Sequence, residues 1–436
     1  MVSPHVPHPS WGAGTRSYYL LKALAREHSV SLLALVGSED VDRTCAAFAE
    51  LTQTLRVVVR APSDGKRWQQ LGSMMRGRSY LLDSYVYAEV QHELDALLSR
   101  DAYDAVLFES VFMAGYRIPE HMPMIIDEHN IEYELLQRTY RHEQGWLRKG
   151  YNWWESRSLK PVELERCRRA RLVLVTSERE RLLLKRLLPQ SCIEVVPNGV
   201  DIDVFDASGI GVEGALSDHV ILNASQGSLF VTRDPSMALR MTNVAQDGNC
   251  GFKEANEPTI IFTGTMNYYP NIDAVLFFAR ECWALIRSRV PNASWLIVGK
   301  DPPAEIWNVA KNAAGITVTG TVPDVRPYLA RAAVAIAPVR IGSGTRLKIL
   351  EAMAMGRAVI STSLGCEGLS VVPEKDLRVA DSAQEFAQAV LDVLQDAEQR
   401  MALGNAGRRL VEANYGWRRC GDIAVDAINE ISMVNI

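Results

Sequence analysis

The chain of 436 residues is 47% hydrophobic and 23% charged, the balance of a folded protein too long for one ordinary core. Its net charge of −5, from 47 basic and 52 acidic residues, gives no reason to expect nucleic acid as a partner. The seven cysteines are scattered with no pair at metal-ligand spacing, which fits a reduced compartment, and no run of about 18 apolar residues suggests a membrane span.

The amino terminus, MVSPHVPHPSWGAG, lacks the basic and apolar segments of a signal peptide. The expected location is therefore the cytoplasm, with peripheral contact at the inner face of the cell membrane as an option. Only Met1 and Val2 precede the first loop, although a doubly wound domain should open on a buried strand. Either that strand is nearly lost or translation begins upstream. The second is favoured, because each buried ladder group left unpaired costs about 1–3 kcal/mol.

From Ser29 onward, short apolar runs alternate with helical patterns. SVSLLALVG, AVLFES, MIIDE, RLVLVTS and IEVVP are expected strands, separated by amphipathic stretches such as GTRSYYLLKALAREH and VQHELDALLSR. Continuously apolar strands between helices indicate a parallel sheet covered on both faces. Between Val204 and Pro258 the pattern gives way to Gly, Ser, Asn and Asp, expected to be a linker carrying an insertion, with HVILNASQGSLFVT as a local strand pair.

The alternation restarts at Thr259 with IIFTGTM, WLIVG, ITVTG, VAIAPV and AVIST as strands, and NIDAVLFFARECWALIRSR, VRPYLARA and TRLKILEAMAMG as helices. Two such blocks predict an α/β protein of two doubly wound parallel-sheet domains facing a cleft. The expected boundaries are 1–204, the insertion 205–258, a second domain 259–415, and a helix 416–436 returning to the first.

The strongest chemical signal is APVRIGSGTRLKILEAMAMGRAVIST, from Ala337 to Thr362. A strand ends, a glycine turn follows, and a helix is expected from Gly344 or Thr345 to Gly356. Gly342 and Gly344 let the backbone approach an anion, and the first amides of the helix favour a diphosphate. Arg346 and Lys348 add positive charge, and Glu351, about two turns in, could accept hydrogen bonds from ribose hydroxyls. A glycine turn before a helix is also a common structural feature, so the pattern alone leaves both readings open.

GSGTRLKILEAMAMGRAVIST resembles the nucleotide-sugar signature of family 4 glycosyltransferases of the GT-B fold, of the bacterial exported-polysaccharide type. GAGTRSYYLLKAL, DEHNIEYELL, VVPNGVDIDVF, IIFTGTMNYYPNIDAV, LIVGKDP, VTGTVPDVRPYLARA and GCEGL match the same family in order, over nearly the whole chain outside the insertion. The resemblance implies that Gly12 and Gly14 keep a loop near the donor's diphosphate and sugar, and that His129 hydrogen-bonds the sugar. It further implies that Gly264 brings its loop close to the phosphates and that Gly344, Thr345 and Arg346 meet them, with Glu351 at the ribose; Gly342 and Ser343, in the same turn, are expected among the substrate-binding residues. Glu367 could meet a sugar or cap a turn.

Two departures stand out. Many relatives carry a glutamate where Ser343 stands, and many place an Arg and a Lys after the strand that IIFTG supplies. Here that loop is GTMNYYPN, with Asn267 and Asn271 but no cation, so Arg346 and Lys348 are expected to supply the charge.

The implied activity is a retaining glycosyltransferase moving a sugar from a nucleotide-sugar donor to a hydroxyl of a glycan or lipid-linked acceptor, with neither metal nor cofactor required. A nucleotide-sugar epimerase of the same fold and an inactive nucleotide-sugar-binding protein are the alternatives. Among other acids, the cluster Asp127, Glu128 and Glu132 could serve as bases, metal ligands or helix caps, and Glu109, ending another strand, could either reach the cleft or be structural. Lys66–Tyr87 and Trp146–Trp154 mix apolar and basic side chains, suited to docking on an anionic bilayer, to holding a lipid-linked acceptor, or to packing on the sheet with snorkelling cations.

Overall fold

Buried runs of aliphatic and β-branched residues form the strands of two sheets in the computed structural model, which describes residues 1–4, 12–38, 41, 44, 48–60, 66–143, 145–207, 222–223, 258–342 and 344–433. The chain divides into two compact units. The first comprises Met1–Gly199, Ser343–Thr345 and Trp417–Ile436, and the second Val200–Gly342 and Arg346–Gly416.

In the first unit the strands are β1 (Val2–Ser3), β2 (Ser31–Val36), β3 (Thr54–Val59), β4 (Val106–Glu109), β5 (Met124–Glu128), β6 (Leu172–Val175) and β7 (Ile193–Val195). They stand in the order β3-β2-β1-β4-β5-β6-β7, and every pair is parallel. The short β1 occupies the centre of the sheet, pairing with both β2 and β4. Met1 continues its ladder: the terminal ammonium donates to the Ser31 carbonyl at 2.8 Å, and Leu33 N–H donates to the Met1 carbonyl at 2.9 Å. β3, which hydropathy did not single out, is an edge strand with Arg56 in its middle, so it lacks the continuous apolar run of a central strand. The last helix, Trp417–Met433, packs on helix Gly12–Leu24, with the Trp417 and Tyr19 rings stacked at 4.9 Å.

The second unit holds β8 (Leu222–Asn223), β9 (Thr259–Thr263), β10 (Ser294–Val298), β11 (Ile316–Gly320), β12 (Val334–Ala337), β13 (Ala358–Ser361) and β14 (Arg378–Val379). The order is β14-β13-β12-β9-β10-β11-β8, parallel except for the two-residue β8, which runs antiparallel to β11. Most of the insertion, including nearly all of HVILNASQGSLFVT, lies outside the described residues. The run expected as one helix from Asn271 to Arg289 contains a π turn at Phe278–Cys282. Its wider winding allows both Phe278 and Trp283 to reach the core, where each lies beside Trp295.

Both strand orders reverse direction beside the first parallel strand of their sheet, at β1/β4 and at β9/β12. Loops at the carboxyl ends of the two strands at such a reversal diverge and leave room for a ligand. The residues of interest gather at these two places.

Candidate functional site

In the second unit, β9 ends at Thr263 and the chain turns at Gly264 with φ 154°. A Cβ there would sit 2.8 Å from the Asn271 side-chain nitrogen and 2.9 Å from Lys348 Nζ, so the lysine lies directly against this glycine. Asn271, near the start of helix Tyr269–Phe277, is the hub: its amide nitrogen donates to the Thr265 carbonyl at 2.8 Å, and its oxygen accepts from Lys348 Nζ at 2.7 Å. Lys348 also lies over the Phe262 ring, 3.8 Å from its centroid. The loop that lacks a cation of its own thus has one brought to it from the helix after β12.

That helix runs Leu347–Ala354, beginning later than its glycine turn suggested. Gly342 and Gly344 have φ values of 119° and 75°, which cannot join a right-handed helix, and Arg346 is the N-cap residue in extended geometry. Helix formers fill the segment, and Ile349, Leu350, Ala352, Met353 and Ala354 bury its inner face. It stops as expected at Gly356, whose positive φ closes a Schellman turn with Arg357 N–H donating to the Ala352 carbonyl at 2.9 Å. Thr345 is half-buried ahead of the helix, and Ser343 lies outside the described residues.

Lys348 and Glu351 both keep some solvent contact, yet their charged ends sit in desolvated surroundings. Burial, with the nearby Arg346 charge, pulls the Lys348 ammonium down to about 7, against the attraction of Glu351. Burial pushes Glu351 up to about 7, partly offset by Lys348. A desolvated cation and acid one turn apart, both titrating near neutrality, are costly unless a ligand completes their environment. Arg340, from the same loop, is committed elsewhere, forming a two-pronged pair with Asp273 and stacking over Phe277. Glu367 lies half-buried in the turn after β13, also at a carboxyl end.

In the first unit the corresponding position holds Ser3, Glu109, Asp127 and His129, at and beyond the ends of β1, β4 and β5. Ser3 Oγ donates to Glu109 Oε2 at 2.6 Å, and His129 Nε2 lies 3.2 Å from Asp127 Oδ2. The organising residue is one that sequence patterning passed over. Arg16 grips Asp127 through Nη2–Oδ1 at 2.6 Å and Nε–Oδ2 at 2.9 Å, and its remaining arm donates to the Val196 carbonyl and to Asn198. Nothing in an Arg on an amphipathic helix marks it as buried; the only hint was its place in the first turn after Gly12 and Gly14, which lie in helix Gly12–Leu24.

Burial disfavours the Asp127 charge, but Arg16 overrides it and holds the carboxyl well below its ordinary range. Burial also disfavours imidazolium at His129, yet Asp127 and Glu109 outweigh it and raise the His129 pKa. Glu109 is raised by burial, opposed by His129 and Ser3. Glu109, Asp127 and His129 are the only three potential ligands close enough to share a cation among the described residues. With both Asp127 oxygens on Arg16, the guanidinium already fills the role of the counter-ion.

The acids of the DEHNIE segment do not form one cluster. Alternation along β5 sends Asp127 to Arg16 and Glu128 to the opposite face, where Cys167 Sγ approaches it at 3.8 Å. The cap of helix Glu132–His142 is instead Glu163, accepting from Glu132 and Tyr133 amides at 2.8 and 2.9 Å. Burial and the Glu132 charge push Glu163 up to about 8.

Two reversal points, one with a glycine-flanked helix start beside a desolvated lysine and acid, define a doubly wound α/β protein with candidate ligand sites at the carboxyl ends of its strands. Comparison with known proteins gives the family. Residues 12–204 match the model described as Glycosyltransferase Family 4, and residues 257–396 match Glycosyl transferases group 1. The chain belongs to these GT-B glycosyltransferases. Sucrose-phosphate synthase from Thermosynechococcus elongatus superposes with a TM-score of 0.66 at 14% identity, covering 99% of each chain. HepE from Anabaena in complex with UDP gives a TM-score of 0.62 at 12% identity, over 98% of this chain and 99% of that one. Its complex with UDP-glucose gives 0.59 at the same identity and coverage. No curated protein matches the chain in sequence.

Proposed function

We propose that this glycosyltransferase moves a sugar, with retention of anomeric configuration, from a nucleoside-diphosphate donor to a hydroxyl of a glycan or lipid-linked acceptor in cell-surface polysaccharide or glycolipid synthesis. The observation that carries the donor reading is Lys348, held by Asn271 against Gly264 at the carboxyl ends of β9 and β12. HepE, similar in fold, is known in complexes with UDP and UDP-glucose, which makes a UDP-sugar the first donor to test.

In this reading the bond between the anomeric carbon and the phosphate oxygen breaks while the acceptor oxygen attacks from the same face. The acceptor's proton passes to the departing phosphate oxygen. Charge growing on the diphosphate meets Lys348, Arg346 and the backbone of Gly264, Gly342, Ser343, Gly344 and Thr345. Glu351 takes the ribose hydroxyls, Glu367 a donor hydroxyl, and Gly12 and Gly14 admit the phosphates close to the backbone. His129, whose pKa Asp127 and Glu109 raise against the effect of burial, donates to a hydroxyl of the transferred sugar. Fixed cations and dipoles meet the charge, so no divalent metal is needed.

The test is calorimetric titration with UDP, GDP and ADP, followed by transfer assays with the matching sugars and NMR assignment of the product's anomeric configuration. Tight binding of one diphosphate and a retained configuration, unchanged by a chelator, are expected. An inverted product refutes retention; interconversion of the donor sugar without acceptor indicates an epimerase.

A further inference from the structure

The first unit carries an exposed apolar surface that the proposed chemistry does not use. Helix Lys66–Met75 places Trp68, Leu71 and Met75 at i, i+3 and i+7, on one face, while Ser73 is buried. Trp68 is 78% exposed and Met75 82%. Helix Trp146–Arg169 opens with Trp146 and Leu147, exposed by 79% and 67%. Single exposed apolar side chains are ordinary, but the four most exposed large ones among the described residues, Met75, Trp146, Trp68 and Leu147, all lie on these two helices.

The two helices are tied together through helix Tyr80–Asp83. Ser73 Oγ donates to Asp83 at 2.8 Å, tying the first helix to this short one. The amides of Tyr80 and Leu81 and the hydroxyl of Ser79 all donate to the buried carboxylate of Glu155, on the second helix.

The charge around this surface decides what covers it. Residues 66–83 and 145–160 contain eight basic and two acidic side chains, within a chain of net charge −5. One of those acids, Glu155, is buried as the anchor just described, and the other, Asp83, lies within 4 Å of Arg76 and Arg78. Basic residues that neighbour protruding tryptophans in the chain, Lys66 and Arg67 before Trp68 and Arg148 and Lys149 after Trp146, are complementary to an anionic, apolar-backed surface, which is a lipid leaflet rather than the polar face of another acidic protein. Among the described residues no helix is long and apolar enough to cross a membrane, so contact would lie in the interface plane.

We propose that helix Lys66–Met75 and the first turns of helix Trp146–Arg169 form a docking face for an anionic lipid bilayer. Trp68, Met75, Trp146 and Leu147 enter the headgroup–acyl boundary, and Lys66, Arg67, Arg148 and Lys149 engage lipid phosphates. The face belongs to the first unit alone and is independent of the donor reading.

The test is flotation of the full-length chain with vesicles of phosphatidylcholine, with and without phosphatidylglycerol, at low and high salt. Binding is expected only with phosphatidylglycerol and weakens as salt rises. The Trp68→Ser, Trp146→Ser double variant should lose at least about tenfold in partitioning, with circular dichroism and diphosphate binding unchanged because both side chains are exposed. A parent that binds neither vesicle, or a variant that binds as well as the parent, overturns the proposal. So does self-association of the parent that the double substitution abolishes, since a second copy would then be the occupant.

Discussion

The most discriminating property of the proposed donor site is the protonation of Lys348. Its ammonium is pulled from an ordinary 10.5 to about 7, chiefly by burial. A bound diphosphate favours the charged form, so above pH 7 the protein must take up a proton as the ligand binds. Affinity therefore falls as pH rises, by up to about tenfold, or about 1.4 kcal/mol, per pH unit. From pH 7.5 to 9.5 the nucleoside diphosphate's Kd should rise by up to about a hundredfold. Glu351, ionising over the same range, stabilises the ammonium and moderates the slope without reversing it. Titration calorimetry in buffers of different ionisation enthalpy counts the proton directly. Lys348→Arg, which stays charged, should bind with little pH dependence, and Lys348→Met should bind weakly and equally at both extremes. A parent Kd that is flat over this interval, with no proton uptake, would refute the placement of Lys348 at the phosphates.

Three further outcomes follow from the geometry. Gly264→Ala puts a methyl 2.8–2.9 Å from Asn271 and Lys348 at a strained φ, so kcat/KM should fall at least about tenfold, corresponding to about 1.4 kcal/mol; an unchanged value shows that the loop tolerates displacement. Arg16→Ala removes the guanidinium from the buried Asp127 carboxylate and leaves only His129 beside it, and urea unfolding should report a loss of about 3–5 kcal/mol, whereas a loss near zero would mean the Arg16–Asp127 pair is not buried in solution. Glu163, raised to about 8, binds its proton more tightly in the folded state, so its contribution is complete below the ordinary carboxylate value of 4.5 and is lost as pH rises to about 8. The melting temperature should decline over that window, and Glu163→Gln should flatten the decline; parallel profiles for parent and variant would assign the titration to another group.

Much of the fold was legible because buried parallel strands leave a strong signature. The runs in β2, β4, β5, β9 and β12 are apolar on both faces, a pattern that solvent-exposed segments do not sustain. β3 escaped because one of its edges is unpaired, and β14 because two residues carry no periodicity. Local backbone chemistry was also visible: Gly356 ends its helix as written, since a left-handed residue is nearly a property of glycine itself. The start of the same helix was misplaced because two glycines can prolong a turn or open a helix, and sequence does not say which.

The sequence by itself determined the alternation of strand and helix, the glycine turn, and the cations Arg346 and Lys348 that follow it. Only the tertiary structure showed that Lys348 meets Asn271 across 77 positions and Arg16 meets Asp127 across 111, and that Asp127 and Glu128 at the end of β5 point to opposite sides of the sheet. The physical reason is that burial and pKa depend on which strands become neighbours. Residue type and local spacing decide how the backbone turns, but the partner that compensates a buried charge arrives from wherever the sheet order brings it.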